Sequence, residues 1–192
     1  VYQNVQPQDF IKADTKIEKS NNNWEVALNE DNFLKLKIND DFQSMLKKNA
    51  GTFDSDAKDK HQEAKWLIKI LAERSITILR VSREIMRKQE EFLNKGSLFL
   101  KPLIMKNISE ELDLHESTIS RVTTNKFIST PHGIFELKYF FGASIKNKNG
   151  KELSSRAILF RIKELIKNED STIPLSDEKI THLLRGEGIQ IA

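Results

Sequence analysis

At 192 residues, 38% hydrophobic and 31% charged, the chain can bury a real core in one or two domains and is no disordered tail. It has no cysteine, which excludes a disulfide framework and any Cys-based zinc site, and no apolar run approaching the ~20 residues that span a bilayer. The net charge of +3 excludes a polybasic coat, and the positive excess sits in the middle, with ten basic and seven acidic residues over 56–96 and seven and five over 97–150.

Phe10 to Glu18 and Trp24 to Asn29 alternate loosely around an Asn-rich turn, which predicts a hairpin. Phe33 to Ile38 alternates as a short strand, and Asp40 to Asn49 reads as a small helix stopped by Gly51. From Ser55 to Lys95 there is neither Gly nor Pro, and Ala64, Leu71, Ile78, Ile85 and Phe92 form an apolar heptad line. That predicts one long helix, ~55 to 60 Å at ~1.5 Å per residue. Two readings of it stand: a coiled-coil seam, or an intramolecular helix bridging subdomains. The second is favoured because Ser75, Ser82 and Gln89 fill the companion line, where a zipper would be greasier. Arg80, Arg83, Arg87 and Lys88 cluster toward its C-terminal end.

After Gly96 and the Lys101-Pro102 turn, Met105 to Leu112 reads as a helix. Ile108 and Leu112 then supply the first helix of a helix-turn-helix, Leu114 plugs the turn, and Ile119 and Val122 face inward from the second helix. Ser109 and Asp113 stand where alanine and glycine are commoner; serine is still small, and Asp tolerates a left-handed turn. Glu116, Ser117, Ser120, Arg121, Thr124 and Asn125 are able to face outward, and with Thr118 and Lys126 they are the candidate DNA-binding residues. Short side chains let a helix lie deep in a major groove, Arg121 can pair with a guanine edge, and Lys126 suits a phosphate. Glu116 either complements the positive helix end or accepts from a cytosine amino group.

Lys126 to Ser129 and Ile134 to Phe141 read as extended, joined by a Thr130-Pro131-His132-Gly133 turn, a candidate wing. KNKNGKE reads as a polar linker, followed by helices over Leu153 to Lys167 and Ser176 to Arg185, the latter opened by a Ser N-cap and two acids. The expected fold is mainly α with small β-hairpins, a long helix plus a winged helix-turn-helix-like DNA-binding domain. Four segments are expected: 1–55, 56–96, 97–150 and 151–192. Catalytic motifs are missing: no GxxxxGK[ST] loop, no HExxH and no G-x-S-x-G. His61, His115, His132 and His182 are too scattered for a ligand cluster, His115 reading as a turn residue and His132 and His182 as solvated. The expectation is a cytoplasmic non-enzyme with no cofactor or metal and no membrane partner.

The runs HESTISRVTTNKFISTPHGIFELKYFF, QEAKWLIKIL, LKPLIMKNISEEL and PLSDEKITHLLRGEGIQIA closely resemble bacterial RNA polymerase sigma factors of the sigma-54 (RpoN) type, from about Trp24 to Ala192. The resemblance implies that 1–55 ends a core-binding region and 56–96 is the family's extra-long helix. It also implies that Glu116 through Lys126 contact the minus-12 promoter element, and that 151–192 opens a minus-24-binding domain. Implied partners are promoter DNA and, for a full-length protein, the RNA polymerase core enzyme and a separate AAA+ activator ATPase. The chain itself reads as a monomeric fragment that stops before the minus-24 reader, with its last ~40 residues incompletely packed for want of a third helix. Other classes kept in view are a dimeric helix-turn-helix repressor and a recombinase.

Overall fold

The computed structural model describes residues 12–20, 23–32, 36–39, 41, 44–45, 55–146, 152–169 and 174–189. Strands β1 (Thr15–Ser20) and β2 (Asn23–Leu28) form the antiparallel hairpin, with Thr15 opposite Leu28 and Ser20 opposite Asn23. Leu36 to Ile38, expected to end a strand, carry no regular structure and are largely exposed, so alternation alone found no sheet partner there. Most of the helix expected over Asp40 to Asn49 lies outside the described residues.

The long helix is real: α1 runs Ser55–Lys88, 34 residues or ~51 Å at ~1.5 Å each. Asp56 in its first turn and Arg87 and Lys88 in its last complement the helix dipole. It does not run unbroken to Lys95. At Gln89 the backbone leaves the helical region (φ −105°, ψ 28°), and a short α2 (Glu90–Lys95) follows. The cause lies in the side chain. Gln89 is fully buried, its Nε2 donating to the Lys101 carbonyl at 2.8 Å and its Oε1 accepting from the Lys101 N–H at 2.9 Å, so one amide satisfies both backbone groups of a loop residue. Gly96 then stops the helix at φ 91°, where a side chain would be strained, and its N–H bonds the Phe92 carbonyl at 2.8 Å.

Helices α3 (Met105–Leu112) and α4 (Glu116–Thr123) form the helix-turn-helix, and β3 (Phe127–Thr130) with β4 (Gly133–Glu136) forms the wing. The expected extension from Ile134 to Phe141 stops at Glu136. Leu137–Phe140 is a 3-10 turn instead, because Leu137 and Phe140, three residues apart, both enter the core, and three residues make one 3-10 turn. The two hairpins are one sheet, in the order β2-β1-β3-β4, with β1 parallel to β3. A single core joins them: Val26 from the first hairpin, Val81 and Ile85 from the long helix, Phe92 from α2, Ile108 and Ile119 from α3 and α4, Ile128 from the wing and Leu137 from the turn after it.

The polar "linker" is also structured at both ends. Strands β5 (Ser144–Lys146) and β6 (Glu152–Ser154) pair antiparallel, with Ile145 opposite Leu153. Helix α5 (Ser155–Lys167) therefore starts after Ser154, whose hydroxyl caps it, rather than at Leu153, and α6 (Asp177–Gly186) is capped by Ser176 as expected. These last helices share a small core of Ile158, Leu184 and Ile189, tied by Arg161 to Glu187 at 2.6 Å, while Leu159, Ile166 and Leu183 stay exposed.

Candidate nucleic-acid interface

The turn between α3 and α4 is built by Asp113, in the left-handed region at φ 53° and ψ 50°, and by the Leu114 N–H bonding back to the Ser109 carbonyl at 2.9 Å. Ser109 is buried, its hydroxyl donating to the Lys106 carbonyl at 2.8 Å, which shows why a small residue is needed there. His115 is the N-cap of α4. Its Nδ1 accepts from the Ser117 N–H at 3.3 Å and lies 2.8 Å from the Ser117 hydroxyl. The Asp, Ser and Thr side chains usually sought at a cap hide such a histidine in a sequence.

Helix α4 buries Ile119 and Thr123 and packs Val122 inward. The Thr123 hydroxyl donates to the Ile119 carbonyl at 2.8 Å, so a residue that reads as polar surface belongs to the core. At ~100° per residue, Ser117, Arg121 and Thr124 point opposite Ile119, with Thr118 and Ser120 on the flanks. Glu116, Ser117, Arg121, Thr124 and Asn125 are exposed; Thr118, Ser120 and Lys126 are half-buried. The Thr124 hydroxyl bonds the Ser120 carbonyl at 2.8 Å. Arg121 has no ion pair or hydrogen bond with any described residue. Lys126 is different, its Nζ lying 3.0 Å from Asp14 Oδ1.

The cations of the long helix are mostly engaged within the protein. Arg80 donates to the Leu112 carbonyl at 3.2 Å, placing positive charge at the negative end of α3, and Arg83 donates to the Val26 carbonyl at 3.2 Å. Arg87 and Lys88 pair with Glu84 and Glu111. Glu111 is thereby held below its ordinary carboxyl range, chiefly by Lys88 and then by Arg87. These contacts fix α3 against α1, and among the described residues Arg121 is left as the uncommitted arginine on the outer face of α4.

The wing is fastened at its tip. The His132 ring stays exposed, as expected for a turn residue, and also meets Phe92 edge-on at 5.3 Å while its Nε2 donates to the Leu93 carbonyl at 3.1 Å. His182 is exposed on α6. Among the described residues no cluster of three His, Asp or Glu could hold a metal, and no helix is long and apolar enough to cross a membrane.

Comparison with known proteins agrees with this geometry. The family model described as "Sigma-54, DNA binding domain" matches residues 54–192. The RNA polymerase sigma-54 factor of Escherichia coli (strain K12) is 43% identical over 185 residues, 96% of this chain and 39% of that protein. That of Acinetobacter guillouiae is 44% identical over 185 residues, 96% of this chain and 38% of that protein. The chain thus spans about two fifths of the length of these relatives. A solved structure, Aquifex aeolicus sigmaN bound to promoter DNA, superposes with a TM-score of 0.57 at 31% identity, covering 100% of this chain and 55% of that one. With its helix-turn-helix and wing inside the matched segment, the chain belongs to the sigma-54 family.

Proposed function

We propose that this chain is the promoter-reading part of a sigma-54-type transcription initiation factor, a non-catalytic subunit of RNA polymerase. It reads the minus-12 element with α4 in the major groove. The observation that carries the reading is the outward face of α4, where short side chains flank an exposed Arg121 with no partner among the described residues. Nearby cations are committed to the fold, and the relative bound to promoter DNA supports the assignment. Ser117, Ser120, Arg121, Thr124 and Asn125 contact base edges or phosphates. Glu116, exposed in the first turn after the His115 cap, complements the positive helix end and is also placed to accept from a cytosine amino group. In the whole protein, core-enzyme binding and opening by an AAA+ activator belong to segments working with this one.

The test is binding of the 192-residue chain to a minus-12 duplex and to a scrambled duplex. The wild type should prefer the promoter sequence. Arg121→Ala should lose ~1 to 3 kcal/mol on the promoter duplex and relax preference at one base position. An equal loss on both duplexes would remove Arg121 from base reading, and a wild type that cannot tell the duplexes apart would sink the proposal.

A further inference from the structure

The β1–β2 hairpin precedes the segment matched by the DNA-binding model, yet it delivers a carboxylate to the end of the recognition helix. The Asp14 side chain is only 10% exposed. Its Oδ2 accepts from the Phe127 N–H at 2.8 Å, and its Oδ1 accepts from Lys126 Nζ at 3.0 Å. Its backbone is used as well, the N–H donating to the Phe127 carbonyl at 2.8 Å and the carbonyl accepting from the Asn29 N–H at 2.9 Å. Beyond it the parallel pairing of Thr15 with Ile128 and Lys16 with Ser129 begins. On the opposite side Asn125, left-handed at φ 53°, donates its N–H to Glu136 Oε1 at 2.8 Å. Asn125, Lys126 and Phe127, which follow α4, are therefore held between two carboxylates, Asp14 just before β1 and Glu136 at the end of β4.

We propose that Asp14 is a positioning residue for the DNA reader: its carboxylate fixes the direction in which the chain leaves α4, with Lys126 as its internal counter-ion instead of a phosphate contact. The inference rests on α4 reading promoter DNA. A phosphate that drew Lys126 away would leave a nearly buried carboxylate without its cation, and that is costly. The hairpin over 12–32 is then a working part of the reader, because without it the Phe127 N–H and the Lys126 ammonium lose the same partner.

The experiment measures binding of the 192-residue chain and its variants to the minus-12 and scrambled duplexes from about 50 to 200 mM salt. Asp14→Ala should lose several-fold of the preference for the promoter duplex, and Asp14→Asn, whose amide oxygen can still accept from Phe127, should recover part of it. Lys126→Met should lose preference too but keep the wild-type slope of log K against log salt. A slope shallower by about 0.9 for Lys126→Met would place Lys126 on a phosphate and overturn the proposal, as would full discrimination by Asp14→Ala. Should Asp14→Ala not fold, Asp14→Asn and Lys126→Met decide by the same two readouts. A wild type blind to sequence would overturn the promoter reading instead. Exchange of the Phe127 amide in DNA-free protein, faster by about tenfold in Asp14→Ala and by less in Asp14→Asn, then judges the grip alone, and unchanged exchange in both would sink it.

Discussion

The first half of the long helix and the stretch that runs from its second half into α2 share one apolar pattern and meet different surroundings. Ile78, Ile85 and Phe92 are buried to 2%, 0% and 0% exposure, whereas Ala64 on the same heptad line is exposed, and beside it Trp66 and Leu67 stand 64% and 49% exposed. Ion pairs repeat the contrast. Near the start Asp56–Lys60 and Lys69–Glu73 join the helix to itself, while near the end Arg87 and Lys88 reach Glu111 on α3. Polar residues differ in the same way: the Ser75 hydroxyl donates to its own helix at Leu71, whereas Ser82 accepts from Thr15 and Gln89 holds Lys101. A periodic apolar line therefore reveals a helix and its covered side, but which polar residues find distant partners tells where the domain begins.

Truncations should expose this division, and the largest effect belongs to the buried half. Phe92, in edge contact with Phe135, Phe140 and His132, should cost ~3 to 5 kcal/mol as Phe92→Ala in chemical denaturation. A loss below ~1 kcal/mol would mean that the site collapses around the cavity and that the halves differ less than burial suggests. Gln89→Ala leaves both backbone groups of Lys101 unpaired and should cost ~1 to 3 kcal/mol. Glu111→Gln should cost less. The folded-state pKa of Glu111 is lowered, so its contribution is present above the ordinary value of 4.5 and is lost as pH falls through the lowered one. Melts should show the variant weaker than wild type at pH 7, with the difference shrinking as the pH is lowered below 4.5. Smallest of all, Trp66→Ala should stay within ~0.5 kcal/mol of wild type, and a loss comparable to that of Phe92→Ala would erase the contrast.

Much of the site was legible because it is local. Ile108, Leu112, Leu114, Ile119 and Val122 obey helical spacing, and the left-handed Asp113 follows from its position between two such helices. The resemblance supplied the family. What spacing could not show depends on partners distant in sequence. Lys126 reads as a free cation until Asp14 is brought beside it, and Gln89 reads as a weak coiled-coil position until Lys101 folds back onto it. His132 is the exposed turn residue that it reads as, but its contact with Phe92 shows only once the two are brought together. The β5–β6 pair was missed for another reason: three-residue strands are too short for alternation to register, although Asn149-Gly150 between them is the dipeptide that most favours a tight hairpin.

The parallel pairing of β1 with β3 also sets an order of events during synthesis. Asp14 and Phe127 are 113 positions apart, and at ~5 to 20 residues per second the ribosome needs roughly 6 to 23 s to make the second after the first. A helix-turn-helix of adjacent segments can close as soon as it emerges, because its contacts are near in sequence, whereas the four-stranded sheet is a late, high-contact-order event. The first hairpin therefore waits with β1 unpaired on one edge, and this nascent edge is where misassembly with a neighbouring chain would begin. Its exposure ends only when α4 and the strand after it have been made.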